Sequence, residues 1–572
     1  MAEQAYTVAS DSETIGDEKS SSLFPEIAIG IDIGTSHCRA AIWHDSRVEL
    51  LRSSRGHTSI RSCVAFRDVG PPTVGRPAGG ELEVLSGSTV FNIKRLVGRS
   101  DLDSTVARAG ESLPFLVQTL NIGVRPFVAT LVQNAWRSTT PEEVLAVLLI
   151  EIRAMAEAHL GQPVRKAVLT VPVTFSRFQT TRVERACAMA GLHVLRLMPE
   201  PTSVALLYAQ QQQRMQQNTN ENFGSEKIAV IVNMGAGFCD VAVTATAGGV
   251  SQIKALSGVA LGGEDLLVKT MRHLAPGPEG QFGIRGPEEI RRMGLLRVAV
   301  QEAIHGLSSR LDVGINVDLG NGRKICRVLS RQEFEEVNRE IFDECENLIR
   351  TCLRDAKTDA KDLNDVILVG GCSNIPKIQE IVKGVCGREI YSGIDLFEGA
   401  VCGAALEGAV ASGVNDPFGT LDLLTIQATS LGIGIRAHGN TFVPVIHPNT
   451  TVPVKRDVLF TTVHDNQTEA LVVVYEGNDK AVEKNNLLGF FKITGIPPAP
   501  KGVPEIAICL DIDASIELRV FAGVVMPGGQ GPVGPVMEVR MPTVDDGHGW
   551  CAGALDKAYG SSLDLATVQK SH

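Results

Sequence analysis

Four isoleucines at alternate positions, Ile27, Ile29, Ile31 and Ile33, within IAIGIDIGT (residues 27–35) constrain this chain more than any other feature. A period of two puts them on one face of a β-strand, and that strand delivers Asp32 and a Gly34-Thr35 turn at its end. Such a turn aims backbone amides and one carboxylate at a metal-bound phosphate, although taken alone an alternating strand ending in glycine is more often plain sheet than a ligand site. Three more glycine turns follow it. IAVIVNMGAG leads from Ile228 into Gly235 and Gly237 and continues through Asp240, LGGED spans residues 261–265, and LVGG ends an apolar run with Gly370 and Gly371. Long helical segments separate them.

In this order the four turns resemble the nucleotide-binding lobes of the actin and sugar-kinase superfamily. The resemblance narrows to the 70-kDa heat-shock chaperones on IGIDIGTSHCRAAIW (29–43), TVFNIKRLVGR (89–99), EPTSVALLY (200–208), LGGED and DVILVGGCSNIPKIQ (365–379). PNTTVPVK (448–455), DNQ (465–467), YEG (475–477) and NNLLGFFKITGIPPAPKGVPEI (485–506) resemble the same family's peptide-binding region, and the match is collinear from about residue 26 to about 523. It implies an α/β fold, an actin-like two-lobed ATPase domain followed by an all-β peptide-binding sandwich. It further implies ATP or ADP with magnesium as cofactors, and unfolded or extended client polypeptides, with co-chaperones, as partners.

At 572 residues the chain has room for roughly four domains. A net charge of −11 argues against nucleic-acid or anionic-membrane partners, since no basic excess is available to replace counterions. No apolar run approaches a membrane span, and the first 24 residues carry acids where a secretion signal needs an apolar stretch, so the expectation is cytoplasmic residence. The 12 cysteines lack C-x-x-C spacing and read as small buried thiols; Cys372 stands where the family has serine. Residues 1–24 read as a disordered acidic tail, 25–209 as the first lobe, 210–413 as the second and 414–428 as an interdomain linker. The glutamine-rich stretch 210–226 reads as a flexible loop between the lobes, and the apolar segment 421–424 as linker or, nearly as well, as a buried strand. Short apolar runs over 429–523 predict the sandwich, and 524–572 a Gly/Pro-rich tail unable to form a long helical lid.

By resemblance, Asp32 holds magnesium through water, and Gly34, Thr35 and Ser36 cradle phosphate. Lys94 contacts the γ-phosphate and attacking water, and Glu200 supports the magnesium shell. Gly235, Gly237, Asp240, Gly262, Gly263, Glu264, Ser308, Gly370 and Gly371 complete the nucleotide site. The peptide pocket falls to Ile433, Ile435, Phe460, Ala470 and Val472, residues that could equally be sandwich core, with Arg436 and Val463 near its rim.

Several positions depart from the pattern. Asn233-Met234-Gly235-Ala236-Gly237-Phe238 replaces Asp-Leu-Gly-Gly-Gly-Thr, so an anion and a hydroxyl are missing, and Ala236 adds a β-carbon where positive φ is expected. Gln301, Ile304 and His305 weaken the adenosine side, as do Asn374 and Phe397 where the family has Arg and Asp; Pro172 is kept, but Thr180 stands for its arginine partner. Three readings follow: an ATP-binding chaperone with weakened hydrolysis; a catalytically impaired scaffold, co-chaperone or exchange partner; and, disfavoured by the β-rich C-terminal third, a small-molecule kinase.

Overall fold

The computed structural model describes residues 28–67, 70–75, 88–99, 103–118, 126–132, 135–219, 225–275, 287–320, 322–525, 535–543 and 561–568. The expected acidic tail at 1–24 lies outside the described residues.

The first lobe is built on β1 (Ala28–Ile33), β2 (His37–His44), β3 (Arg47–Leu50), β4 (Lys166–Val171) and β5 (His193–Pro199), in the order β5-β4-β1-β2-β3. β1 runs parallel to β4 and antiparallel to β2. Its alternation marks only one of two buried faces: Ala28, Ile29, Gly30 and Ile31 are all buried, because helix α5, described below, covers the other side. Gly30 is required there, since a β-carbon would come 2.2 Å from the backbone nitrogen of Ala405.

Helices α1 (Arg177–Met189) and α2 (Glu200–Thr219) follow β4 and β5. The second lobe repeats the sheet order with β6 (Lys227–Met234), β7 (Cys239–Ala247), β8 (Val250–Val259) and β9 (Asp365–Val369), running β9-β6-β7-β8. Its helices include α3 (Gly263–Leu274), α4 (Pro287–Leu307) and α5 (Gly399–Ala411), the last returning to β1.

The glutamine-rich stretch is not a loop: α2 continues through it to Thr219, across the expected lobe boundary at 209/210. Unbranched glutamine is a good helix former. Gln210, Gln212, Gln213 and Gln216 are buried. The Gln210 amide donates to Thr420 O (3.4 Å), and Gln213 donates to Gly419 O (3.4 Å) and Asp422 O (3.3 Å). These bonds hold the segment before residue 424 on the helix. The chain then forms β10 (Leu424–Ile426), parallel to β8, so the linker is an edge strand of the second lobe. Leu423 is buried among Trp43, Leu206 and Leu406. Leu423→Asp should therefore release the linker, because removing the leucine forfeits about 2–5 kcal/mol and a carboxylate is costly to bury among these apolar side chains. Protease cleavage within 414–428 should rise at least tenfold; an unchanged cleavage rate would mean the apolar contact does not hold the linker.

The sandwich has two sheets. One contains β11 (Ile433–Ala437), β12 (Thr441–Ile446), β14 (Glu469–Glu476) and β15 (Asn486–Thr494). The other contains β13 (Val454–Thr462), β16 (Glu505–Ile512), β17 (Leu518–Val525), β18 (Met537–Met541) and β19 (Leu565–Thr567), in the order β18-β17-β16-β13-β19. The sandwich thus passes the expected end at 523 and takes two strands from the expected tail. Gly and Pro disfavour a long helix but not short edge strands between turns. Residues 526–534 lie outside the described residues. The sandwich also touches the first lobe: the Arg177 amide donates to Glu476 Oε2 (2.7 Å), and its guanidinium lies 3.5 Å from the same carboxylate. That ion pair stands one turn before Thr180, whose hydroxyl bonds locally to Arg177 O.

Candidate nucleotide cleft and peptide groove

The four glycine turns converge between the lobes. A β-carbon on Gly237 would come 2.5 Å from Thr35 Oγ1, on Gly262 2.5 Å from Gly235 O, on Gly263 2.9 Å from Cys372 Sγ, and on Gly370 2.7 Å from Asn233 Oδ1. The turns press glycine backbone against the backbone and side chains of their neighbours, which leaves no room for a β-carbon at these four positions. Gly370 also has φ of 93°, a left-handed conformation that side chains disfavour. Ala236 does not have positive φ, so its β-carbon costs none of the expected backbone strain. Gly34 and Gly371 head their own turns, and Ser36 is exposed.

Inside this ring sits a charged cluster. Lys94 Nζ donates to Glu200 Oε1 (2.5 Å), and the Asn233 amide donates to Glu200 Oε2. Asn92, in the left-handed region at φ 57°, turns the chain into the short helix that presents Lys94, which is buried. Asp32, at the end of β1, accepts from Thr170 Oγ1 at 2.7 Å. Its pKa is raised, by burial and then by the Glu200 charge, against the pull of Lys94. Asp240 on β7 is fully buried; burial, with Glu200 again second, raises its pKa well above the usual range. Burial alone would lower the Lys94 pKa, but Glu200 and Asp32 raise it.

Asn233 therefore makes the expected missing anion good in one respect: its amide supplies a donor to Glu200 where a carboxylate would repel it. Phe238 is not an obstruction in open space. Its ring is buried in the first lobe's core, edge-to-face on Phe175 (centroids 5.8 Å apart), with the Lys94 ammonium 5.9 Å from its centroid. It bolts the two lobes together.

Residues not singled out from the sequence complete the closure. Arg95 bonds Asp265 Oδ1 (3.0 Å) and Ala260 O (3.2 Å), tying the Lys94 segment to the LGGED turn. Glu264 pairs with Arg297, which stacks over Phe91 at 5.1 Å. Both Arg95 and Asp265 flank quoted motif residues, which was the available signal; Arg297 and Thr170 had none. Ser308 lies just past α4, its amide bonded locally to His305 O (3.2 Å) rather than to the carboxylate cluster. Ile304 turns into the second lobe's core, and Arg39 reaches across to the Phe397 ring at 5.5 Å. Cys372 donates to Gly235 O (3.2 Å), and burial pushes its thiol up to about 12, so it is structural rather than reactive. Among the described residues eight cysteines are buried, as expected, whereas Cys326 is exposed.

In the sandwich, Ile433, Ile435, Phe460, Ala470 and Val472 share one fully buried cluster, with Leu565 from β19 among them. Arg436 is buried rather than at the rim, 3.3 Å from Asp564.

A profile described as Hsp70 protein matches residues 28–524. The chain belongs to the Hsp70 family. Heat shock 70 kDa protein 8 of Arabidopsis thaliana is 63% identical over 574 residues, covering all of both chains. Heat shock 70 kDa protein of Emericella nidulans is 33% identical over 497 residues, 86% of this chain and 75% of that one; heat shock 70 kDa protein 2 of Paracoccidioides lutzii is 33% identical over 502 residues, covering 86% and 74%. This Hsp70 is thus a chaperone of the ATPase type, of a family that binds ATP or ADP with magnesium and holds unfolded polypeptides. The cleft fits that cofactor set. Neither carboxylate oxygen of the buried Asp240 has a hydrogen bond of good geometry, although the Val173 amide lies near and the charges of Glu200 and Lys94 act on it, and a buried acid of this kind suits a hydrated cation. Among the described residues no three His, Cys, Asp or Glu are placed to ligate a metal directly. No helix among the described residues is long and apolar enough to cross a membrane.

Proposed function

We propose that the cleft binds magnesium-ATP, with Thr35, Gly34, Ser36, Gly235, Gly237, Gly370 and Gly371 offering backbone or hydroxyl to phosphate. Asp32 and Asp240 hold the hydrated metal, Lys94 faces the terminal phosphate, and Gly262, Gly263, Glu264 and Ser308 shape the adenosine side. Bound magnesium would neutralise phosphate charge. Lys94 is kept fixed by Glu200, and Asp240 is the carboxylate left to take up a proton where Asn233 has none. Hydrolysis is slow on this reading. The observation that carries it is the convergence of four glycine turns on the Lys94-Glu200-Asn233 cluster with an unsatisfied Asp240 beside it.

The sandwich takes extended apolar client segments in the groove lined by Ile433, Ile435, Phe460, Ala470 and Val472, with co-chaperones assisting in the cytoplasm. Magnesium-ATP at millimolar concentration should raise the melting temperature of the lobes by several degrees, consistent with about 2–4 kcal/mol from saturating ligand. No shift would remove the nucleotide-binding reading. A second reading, a catalytically silent scaffold or exchange partner, is favoured by Asn233 satisfying Glu200 without any cation; retained ATP binding with no detectable single-turnover hydrolysis would select it.

A further inference from the structure

β19 pairs antiparallel with β13 in the register Phe460↔Thr567, Thr461↔Ala566, Thr462↔Leu565. One of these three residues, Leu565, is bonded from the opposite sheet as well: the His438 amide, in the turn after β11, donates to Leu565 O at 2.8 Å. Leu565 is fully buried with Phe460, Ile433, Ala470 and Val472, the residues of the proposed client pocket. Directly before it, Asp564 is within 3.3 Å of the buried Arg436 guanidinium and 3.0 Å of His438 Nδ1, and the Gln467 amide donates to Asp564 O at 3.2 Å. The profile match ends at residue 524, so this segment lies beyond it.

An extended segment that adds one strand to a sheet edge and buries one aliphatic side chain between the sheets is what a chaperone groove offers a client. We propose that residues 563–567 are an internal occupant of the client groove, which a client must displace, and that their chemistry states what the groove selects: an aliphatic residue directly preceded by an acid. This rests on the groove reading given above. Arg436 explains the acid, since a buried guanidinium needs an anionic partner and the groove presents it next to the aliphatic pocket. A tethered occupant acts at a local concentration near millimolar, so an intrinsic affinity of about 10–100 µM for the tail would lower client affinity by about 10- to 100-fold.

The test uses full-length protein and two labelled heptapeptides, one with the sequence of residues 562–568 and one with Lys in place of its Asp. Asp564→Arg sets like charges together and should release the tail. Asp564→Asn removes the pairing without bulk, and serves if the first variant folds poorly; matched melting curves check this. Both variants should bind the first peptide at least tenfold more tightly than the natural chain, and the Lys peptide at least tenfold more weakly than the first. Equal binding by natural and variant chains, abolished by Val472→Phe, would overturn occlusion while leaving the groove in place. Failure of every chain to bind either peptide would overturn both, making β19 a permanent strand of the sandwich.

Discussion

Asn233→Asp should raise single-turnover ATP hydrolysis by about 100-fold and at the same time lower the melting temperature of the nucleotide-free protein by a few degrees. The rate effect follows from adding one positioned electrostatic group in a dry cleft, which commonly changes rates by 10²-fold or more. The stability effect comes from the structure. Glu200 now accepts from Lys94 on one oxygen and from the Asn233 amide on the other. An aspartate there would end the second bond and add a fourth acid beside Asp32, Glu200 and Asp240, against one lysine. Losing a donor to a buried carboxylate costs about 1–3 kcal/mol, and a domain of this size shifts by about 2–4 °C per kcal/mol. Magnesium-ATP should restore the lost stability, giving the variant a larger ligand-induced shift than the natural chain. Calorimetric melting with and without nucleotide, beside single-turnover hydrolysis, measures both arms; unchanged hydrolysis with intact binding would show that Asn233 does not limit the rate.

Adding Phe238→Thr to that variant should not help, although a threonine there would match the family's pattern. The ring is buried against Phe175 across the lobes, and truncating a buried phenylalanine costs about 3–5 kcal/mol. The residue's role is closure.

The sheet cores and the glycine turns were legible because their signals are local. Alternating isoleucines and glycine turns mark backbone that approaches backbone, and Lys94, Glu200 and Asp240 could be placed by their neighbours in motifs. What escaped was set by distant partners. The glutamines of α2 looked like loop because their composition is polar, yet their amides are satisfied by carbonyls of Gly419, Thr420 and Asp422 some two hundred residues away. The strands of the tail carry little apolar pattern of their own, and become strands because β17 and β13 offer edges. Along β14 the alternation itself is hidden: Ala470, Val472 and Val474 face the inter-sheet core while Leu471, Val473 and Tyr475 face a second cluster, so a run of apolar residues gives no inside and outside.

That two-sided burial makes Val472→Phe the sharpest probe of the sandwich. Val472 belongs with Phe460, Ala470 and Leu565 to a cluster that has no exposed member among those four, so the larger ring must take the space of a neighbour. Overpacking a well-filled core costs about 1–3 kcal/mol unless something leaves. Leu565 is the neighbour that can leave, since three residues of β19 pair with β13 where β14 is held along its whole length. The variant should therefore expel the tail, seen as lost hydrogen-exchange protection at residues 565–567, with only a small change in melting temperature. It should also lose client-peptide binding by about 100-fold, close to 2.8 kcal/mol, because the ring fills the pocket that tail and client share. Combining it with Asp564→Arg should bring no recovery: releasing an occupant is useless when the pocket is filled, so the two effects cannot add. Native-like peptide affinity in the single variant would place client binding outside this pocket, and additive effects in the double variant would show that tail and client occupy different places.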